Sequence, residues 1–135
     1  MASLHHEILV ETSADAAWAA LRDVGAAHRL FAGVLTDGRL DGDIRTVTFA
    51  SGTIVREKII DVDDDARRVA YAVLGDSFEH HNASMQIFTA GEGRCRFVWI
   101  TDLLPNERVA MVKPLVEQGS QALKRVLEAA GNATG

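Results

Sequence analysis

The sequence predicts an α+β fold in which a curved antiparallel sheet of six or seven strands wraps around one long C-terminal helix. Three observations support it: a strand leads directly into two short helices, residues 34–104 alternate strand-like runs with turn signals, and residues 107–130 have helical periodicity. A sheet that grips a helix in this way leaves room for an internal pocket. The order of elements is therefore the strongest functional signal in the chain.

Length and composition favour a single domain. The chain has 135 residues, of which 47% are hydrophobic and 24% charged, values typical of a globular protein with one core. We expect one domain over residues 1–135, with a disordered tail at residues 131–135. The only cysteine, Cys95, excludes an internal disulfide.

Charge and hydropathy narrow the list of partners and compartments. The net charge is −5 and the basic residues are scattered, so we expect no nucleic-acid partner. No apolar run approaches the roughly 20 residues of a membrane span, which argues against membrane insertion. The first residues lack the basic and apolar regions of a secretory signal, and the cytoplasm is the expected location.

The N-terminal elements follow from alternation and capping signals. Residues 4–11 alternate as a strand does, and Ser13 or Thr12 offers an N-cap for an amphipathic helix that ends near Gly25. Residues 26–31 predict a second short helix, anchored by Leu30 and Phe31. We expect this helix to lie as a lid over the sheet.

The central strands are separated by turn signals at residues 41–43, 51–52, 63–65, 75–76 and 91–93. Since successive side chains of a strand point to opposite faces, one alternating set should face the interior. That set is Val55, Glu57, Ile59, Val69, Tyr71, Val73, His81, Ala83, Met85, Ile87, Cys95, Phe97, Trp99 and Thr101. Phe88, Val98 and Ile100 fall on the opposite face and are candidates for a homodimer contact.

The C-terminal segment predicts an amphipathic helix that lies across the sheet. Its apolar stripe includes Leu115, Gly119 and Leu123, with charged residues opposite. Glycine inside a helix costs about 1 kcal/mol relative to alanine, so Gly119 needs a structural use. It either gives room to a ligand or lets helix and sheet approach closely.

Several stretches carry a family likeness: residues 13–23 with Trp18, the Gly-Thr-Ile-Val-Arg-Glu strand at 52–57, Arg-Val-Ala-Tyr at 68–71 and Cys-Arg-Phe-Val-Trp at 95–99. With the element order, they make the chain resemble the START/Bet v 1-like (SRPBCC) superfamily, nearest its polyketide cyclase/dehydrase-like branch. The resemblance implies a helix-grip fold with an internal cavity. Members bind lipids, hormones, polyketides and other apolar molecules, and some catalyse ring closure or dehydration.

Three inward residues could carry acid-base chemistry. Glu57 is aimed into an apolar interior, where desolvation would raise its pKa, although a structural glutamate paired with an arginine is the alternative reading. His81 shares that face and could shuttle protons near neutrality, while Tyr71 could orient a carbonyl or hydroxyl. These are the catalytic candidates if the protein is an enzyme.

The remaining candidates would contact a ligand. Trp99, Phe97 and Met85 offer an aromatic and thioether wall for a flat molecule, and His28 on the lid could meet its polar end. The full set predicted to bind ligand is Trp99, Phe97, Met85, Val55, Phe31, His28, Leu115, Gly119 and Leu123. His80 and His81 point to opposite sides of one strand, so we expect no metal site, and no cofactor is predicted.

The function that these features favour is binding of a small hydrophobic or amphipathic molecule between sheet and helix. An enzyme of the cyclase or dehydratase type that uses Glu57, His81 and Tyr71 is the first alternative. A protein-interaction module is the second. The sequence names neither the ligand nor a partner.

Overall fold

A seven-stranded antiparallel sheet forms the frame of the protein in the computed structural model, which describes residues 2–134 and the side chains of residues 2–131. Its spatial order is β1-β7-β6-β5-β4-β3-β2. The strands are β1 Ala2–Val10, β2 Leu35–Asp41, β3 Ile44–Phe49, β4 Ile54–Asp63, β5 Arg68–Val73, β6 His80–Thr89 and β7 Cys95–Leu104. The predicted six or seven antiparallel strands are confirmed, with seven as the number.

Each predicted turn signal separates two consecutive strands. Gly42 and Gly52 adopt positive φ angles of 64° and 94° in the two hairpins that flank β3, a conformation that side chains with a Cβ avoid. In the turn after β4, the Asp63 carboxylate accepts the backbone N–H groups of Asp65 and Ala66 at 3.0 Å each. The acidic cluster at residues 63–65 is thus a turn built on its own side chain.

Two short helices follow β1, as predicted. The first, α1 (Ala14–Leu21), is capped by Ser13, whose hydroxyl accepts the Ala16 N–H at 3.1 Å. A 3-10 turn (Val24–Ala26) then leads into α2 (Ala27–Leu30). The first helix ends four residues before the predicted Gly25, because this 3-10 turn takes over.

The long C-terminal helix, α3 (Val109–Thr134), is preceded by a 3-10 turn over Asn106–Arg108. It covers the β1 edge of the sheet, where Lys124 Nζ donates to the Leu9 carbonyl at 3.2 Å and the Glu128 carboxylate accepts the Glu11 N–H at 2.9 Å. The predicted helix end near residue 130 falls short by four residues. Gly135 and the side chains of residues 132–134, most of the tail predicted as disordered, lie outside the described residues.

The two faces of the sheet separate much as the alternation predicts. The inner face buries Val69, Tyr71, Ala83, Met85, Ile87, Cys95 and Phe97. On the outer face, Val98 is buried, while Phe88 lies partly exposed with the Arg96 guanidinium 5.0 Å from its ring centre.

The apolar interior forms two clusters. A large one includes Phe97, Leu123 and Leu127, and a small one joins Leu103, Val112 and Val116. Trp99 packs against both clusters. The position of Trp99 therefore marks the boundary between them.

Candidate functional site

An internal cavity of about 610 Å³ lies between the sheet and the first half of α3. Side chains from β3 to β7, from the end of α2 and from α3 line it, with aromatic walls formed by Phe31, Phe49, Tyr71, Phe78 and Trp99. Sites for small molecules in proteins are concave, mostly apolar and typically 300–1,000 Å³ in volume. The size and lining of this cavity match such a site.

A buried ion pair forms part of the cavity wall. Arg45 and Glu57 face each other across β3 and β4, and Arg45 Nε donates to Glu57 Oε1 at 2.8 Å. Arg45 also donates to the Val24 carbonyl at 3.3 Å, which anchors the guanidinium to the turn before α2. Burial raises the pKa of Glu57 above its ordinary value, and the Arg45 charge opposes that rise.

The pair matches one of the two readings of Glu57 that the sequence offers. Glu57 does face the interior, but it is partnered by an arginine, which is the structural alternative for this residue. Removing one member of such a pair would leave an uncompensated buried charge, so each residue depends on the other for its place in the wall. A catalytic role for Glu57 stays a prediction.

Tyr71 lies next to this pair. The Arg45 guanidinium sits 5.1 Å from the centre of its ring, a cation-π contact. Burial, and then the Glu57 charge, raises the pKa of the Tyr71 hydroxyl well above its ordinary value. The hydroxyl therefore stays protonated at neutral pH and can act as a hydrogen-bond donor towards the cavity.

His81 lines the same cavity from β6, but its pKa differs from that of the predicted proton shuttle. Burial, with the neighbouring His80, lowers its pKa to about 4, so the imidazole is neutral at pH 7 and titrates far below the range of a shuttle near neutrality. Phe78 packs against the ring at 4.5 Å between centres. Within the described part of the chain, the buried Nδ1 atom of His81 has no hydrogen-bond partner.

The three catalytic candidates share one cavity without forming one network. Glu57 lies on β4 and His81 on β6, with β5 between them, so at the usual strand spacing their backbones are about 10 Å apart. No hydrogen bond among the described residues joins His81 to Tyr71 or Glu57. Their joint action would require a bound molecule that spans the gap.

Trp99 and Gly119 form the inner end of the cavity. A Cβ added at Gly119 would lie 2.8 Å from Cζ3 of the Trp99 ring, closer than real atoms approach. The absence of a side chain at Gly119 thus lets the indole of β7 rest directly on α3. This supports the prediction that the glycine lets helix and sheet approach closely. The indole N–H of Trp99 is close enough to the Tyr71 hydroxyl to lower the pKa of Tyr71 slightly against the larger rise from burial. It makes no hydrogen bond of standard geometry among the described residues.

The structure sorts the residues predicted to bind ligand into two groups. Those that line the cavity are Trp99, Met85, Val55, Phe31, Leu115 and Gly119. Phe97 and Leu123 do not line it, because both are fully enclosed in the large cluster. His28 does not line it either, since its ring lies against Gly38 of β2.

Two charged lining residues were missed by sequence reasoning. Arg45 could have been found from the β3–β4 turn, because a hairpin centred on residues 51–52 places it opposite Glu57. Arg108, at the end of the 3-10 turn before α3, is exposed and lines the outer part of the cavity. No periodic signal marks Arg108, since it lies between the last strand and the helix.

The described residues contain no cluster of three or more His, Cys, Asp or Glu side chains suited to a metal ion. In the same part of the chain, no helix is long and apolar enough to cross a membrane.

A curved sheet around a long helix, with an apolar cavity between them, defines a protein of the Bet v 1-like helix-grip class. Residues 1–128 match the family described as polyketide cyclase / dehydrase and lipid transport, and the chain belongs to that family. A search of curated proteins finds no match.

Solved structures agree on the fold. An uncharacterized protein from Bacillus thuringiensis superposes with a TM-score of 0.85 at 15% identity, over 93% of this chain and 98% of that one. The protein XoxI from Bacillus cereus gives 0.85 at 15% identity, over 94% and 96%. Norcoclaurine synthase from Thalictrum flavum, a point mutant with a transition-state analogue bound, gives 0.74 at 22% identity, over 96% of both chains. At these identities the likeness establishes the fold alone.

Proposed function

We propose that the protein binds a small apolar or amphipathic molecule in the cavity between the sheet and α3. The observation that carries the proposal is the cavity of about 610 Å³ with its aromatic walls. Enclosing an apolar molecule of that size removes its surface from water and provides most of the binding free energy. Membership of a family described in part by lipid transport supports this function.

The polar groups of the wall give such a ligand an orientation. Tyr71, His81 and the Arg45–Glu57 pair lie on the sheet side of the cavity, whereas α3 contributes mainly apolar side chains such as Val112 and Leu115. A ligand with an uncharged hydroxyl or carbonyl group would turn that group towards the sheet. A norcoclaurine synthase structure holds dopamine and hydroxybenzaldehyde, and small aromatic molecules of this kind suit the proposal.

Filling the cavity should abolish binding. Val55 lines the cavity, whereas Ile54, its neighbour in β4, is 65% exposed on the opposite side. We expect Val55→Trp to weaken binding of the neutral fluorescent probe N-phenyl-1-naphthylamine by at least about tenfold, or ~1.4 kcal/mol. The matched control Ile54→Trp should bind like the parent protein.

Fluorescence titration, with native mass spectrometry for the stoichiometry, measures this effect. Probe binding to Val55→Trp at the parent affinity, in a protein that still unfolds cooperatively, would place the probe elsewhere and contradict the proposal. Absence of binding to the parent would contradict it as well.

Catalysis of the cyclase or dehydratase type is the second candidate. The observation in its favour is the set of polar groups that face the cavity: Glu57 with its raised pKa, the protonated Tyr71 and the unpartnered Nδ1 of His81. Glu57→Gln keeps the shape of the wall and removes its acid, so a substrate turned over equally by both proteins would count against this role. The cytoplasmic location, the homodimer and the protein-interaction alternative stay predictions.

A further inference from the structure

Among the described residues, three charged side chains line the cavity: Arg45, Glu57 and Arg108. Arg45 and Glu57 are paired at 2.8 Å, and their opposite charges compensate each other. His81, with its pKa of about 4, contributes no charge at pH 7. Of these three described residues, Arg108 is therefore the one without an ion pair.

Arg108 lies at the mouth of the cavity. It is exposed, and so is Met111, one turn further along, which also lines the cavity and is 47% exposed. No ion pair of Arg108 occurs among the described residues. Glu107 precedes Arg108 in the sequence, and Asp76 and Glu79 flank the lining residues Ser77 and Phe78. None of these three carboxylates lines the cavity.

We infer that the ligand is an amphipathic monoanion whose anionic group pairs with Arg108 at the mouth while its apolar body fills the aromatic cavity. The inference rests on the proposed function and adds the charge and direction of the ligand. A guanidinium presents N–H donors in a planar fork that matches a carboxylate or a sulfonate.

The inner end of the cavity favours a neutral group. Charges there are already paired, and a second buried charge beside Arg45 and Glu57 would be desolvated without a partner of its own. Tyr71 and His81 offer hydrogen bonds to a hydroxyl or carbonyl instead. The ligand therefore enters with its uncharged end first.

Two probes with the same ring system test the inference. N-phenyl-1-naphthylamine is neutral, and 1-anilinonaphthalene-8-sulfonate adds one sulfonate to the same rings. We expect Arg108→Gln to weaken binding of the sulfonate by about two- to fivefold, the range of a partly exposed ion pair, and to leave the neutral probe unchanged. The loss should shrink as salt is raised, because salt screens the exposed guanidinium.

Two variants serve as controls. Arg108→Lys keeps the charge and should retain most of the affinity for the sulfonate. Arg56→Gln removes the same charge from an exposed residue of β4 that does not line the cavity, and should change neither affinity.

The outcomes separate this inference from the proposed function. If the parent binds both probes and Arg108→Gln weakens both equally or neither, or if Arg56→Gln has the same effect as Arg108→Gln, the inference is wrong while cavity binding stands. If the parent binds neither probe, cavity binding and the inference both fail. Selective loss of the sulfonate, restored by lysine, supports the inference.

Discussion

The two halves of α3 carry the same apolar stripe but meet different surroundings. In the second half, Leu123 and Leu127 are enclosed in the large cluster with Phe97, so the space between sheet and helix is packed with side chains there. In the first half, Leu115 and Val116 line a cavity of about 610 Å³. One helix thus provides packing at one end and a binding space at the other.

The boundary between the two halves is a single contact. Trp99 lies on Gly119 and touches Phe31, with 5.7 Å between the two ring centres, and it packs against both apolar clusters. Large rings fill space efficiently, so this contact closes the inner end of the cavity. The large packed cluster therefore lies beyond Trp99, whereas the small cluster and the cavity lie before it.

Truncating one leucine in each half gives the largest expected difference. Leu123→Ala should lower the free energy of unfolding by about 2–5 kcal/mol, because the side chain is fully buried and leaves a cavity in packed surroundings. Leu115→Ala should cost about 1 kcal/mol or less, since Leu115 is half-buried beside space that is already empty. Urea unfolding measures both values, and equal losses would refute the division of α3 into a filled and an open half.

The boundary itself is tested by Gly119→Ala. The new Cβ would displace the Trp99 ring, which we expect to cost about 1–3 kcal/mol by overpacking, offset by the roughly 1 kcal/mol that alanine gains in a helix. A displaced indole should also alter binding of the neutral probe. Gly131→Ala is the matched control, because its Cβ would meet Thr12 Oγ1 at an ordinary 3.6 Å.

Thermal unfolding and probe titration report the two effects of Gly119→Ala. An alanine variant with the parent affinity and a higher free energy of unfolding would show that Trp99 does not depend on this glycine for its position.

His81 gives the smallest expected effect, through pH. Its pKa is about 4 in the folded protein against 6.5 for the free side chain, so between these values the unfolded chain binds a proton that the folded protein does not. Stability contributed by this residue is therefore lost as pH falls from about 6.5 to about 4. Because His81 is only partly buried, we expect a loss on the order of 1 kcal/mol.

The measurement compares urea unfolding of the parent and of His81→Gln at several pH values, since carboxylates titrate in the same range. The free energy of unfolding of the parent should fall relative to that of His81→Gln as the pH falls through this window.

Much of the fold was predictable from local patterns. The Ser13 cap, the turns at Gly42 and Gly52 and the alternation along β5 to β7 depend on neighbours in the sequence, and all are confirmed. Element ends were less accurate, as at α1 and α3, where packing and a 3-10 turn decide where a helix stops. The order of β2 to β7 follows from short connections between antiparallel strands, whereas the pairing of β1 with β7 joins the two ends of the chain and does not.

The site was predictable only in part. Glu57, Tyr71, His81 and Trp99 face the interior as the alternation indicates. Pairing of Glu57 with an arginine was one of its two readings, but the identity of that arginine as Arg45 was not anticipated. Nor were the low pKa of His81 and the position of Arg108 at the mouth, since each depends on residues brought together by the sheet or by a connection between elements.

The sequence by itself determined the direction of the side chains and the order of the elements, because strand alternation, turn residues and helical periodicity are local properties of the chain. Only the tertiary structure decided which inward side chains meet packed neighbours and which meet open space. Phe97 and Trp99 are two residues apart on one face of β7, yet the first is core and the second lines the cavity. The physical reason is that the space in front of a side chain is set by the elements packed opposite it, here the approach of α3 at Gly119.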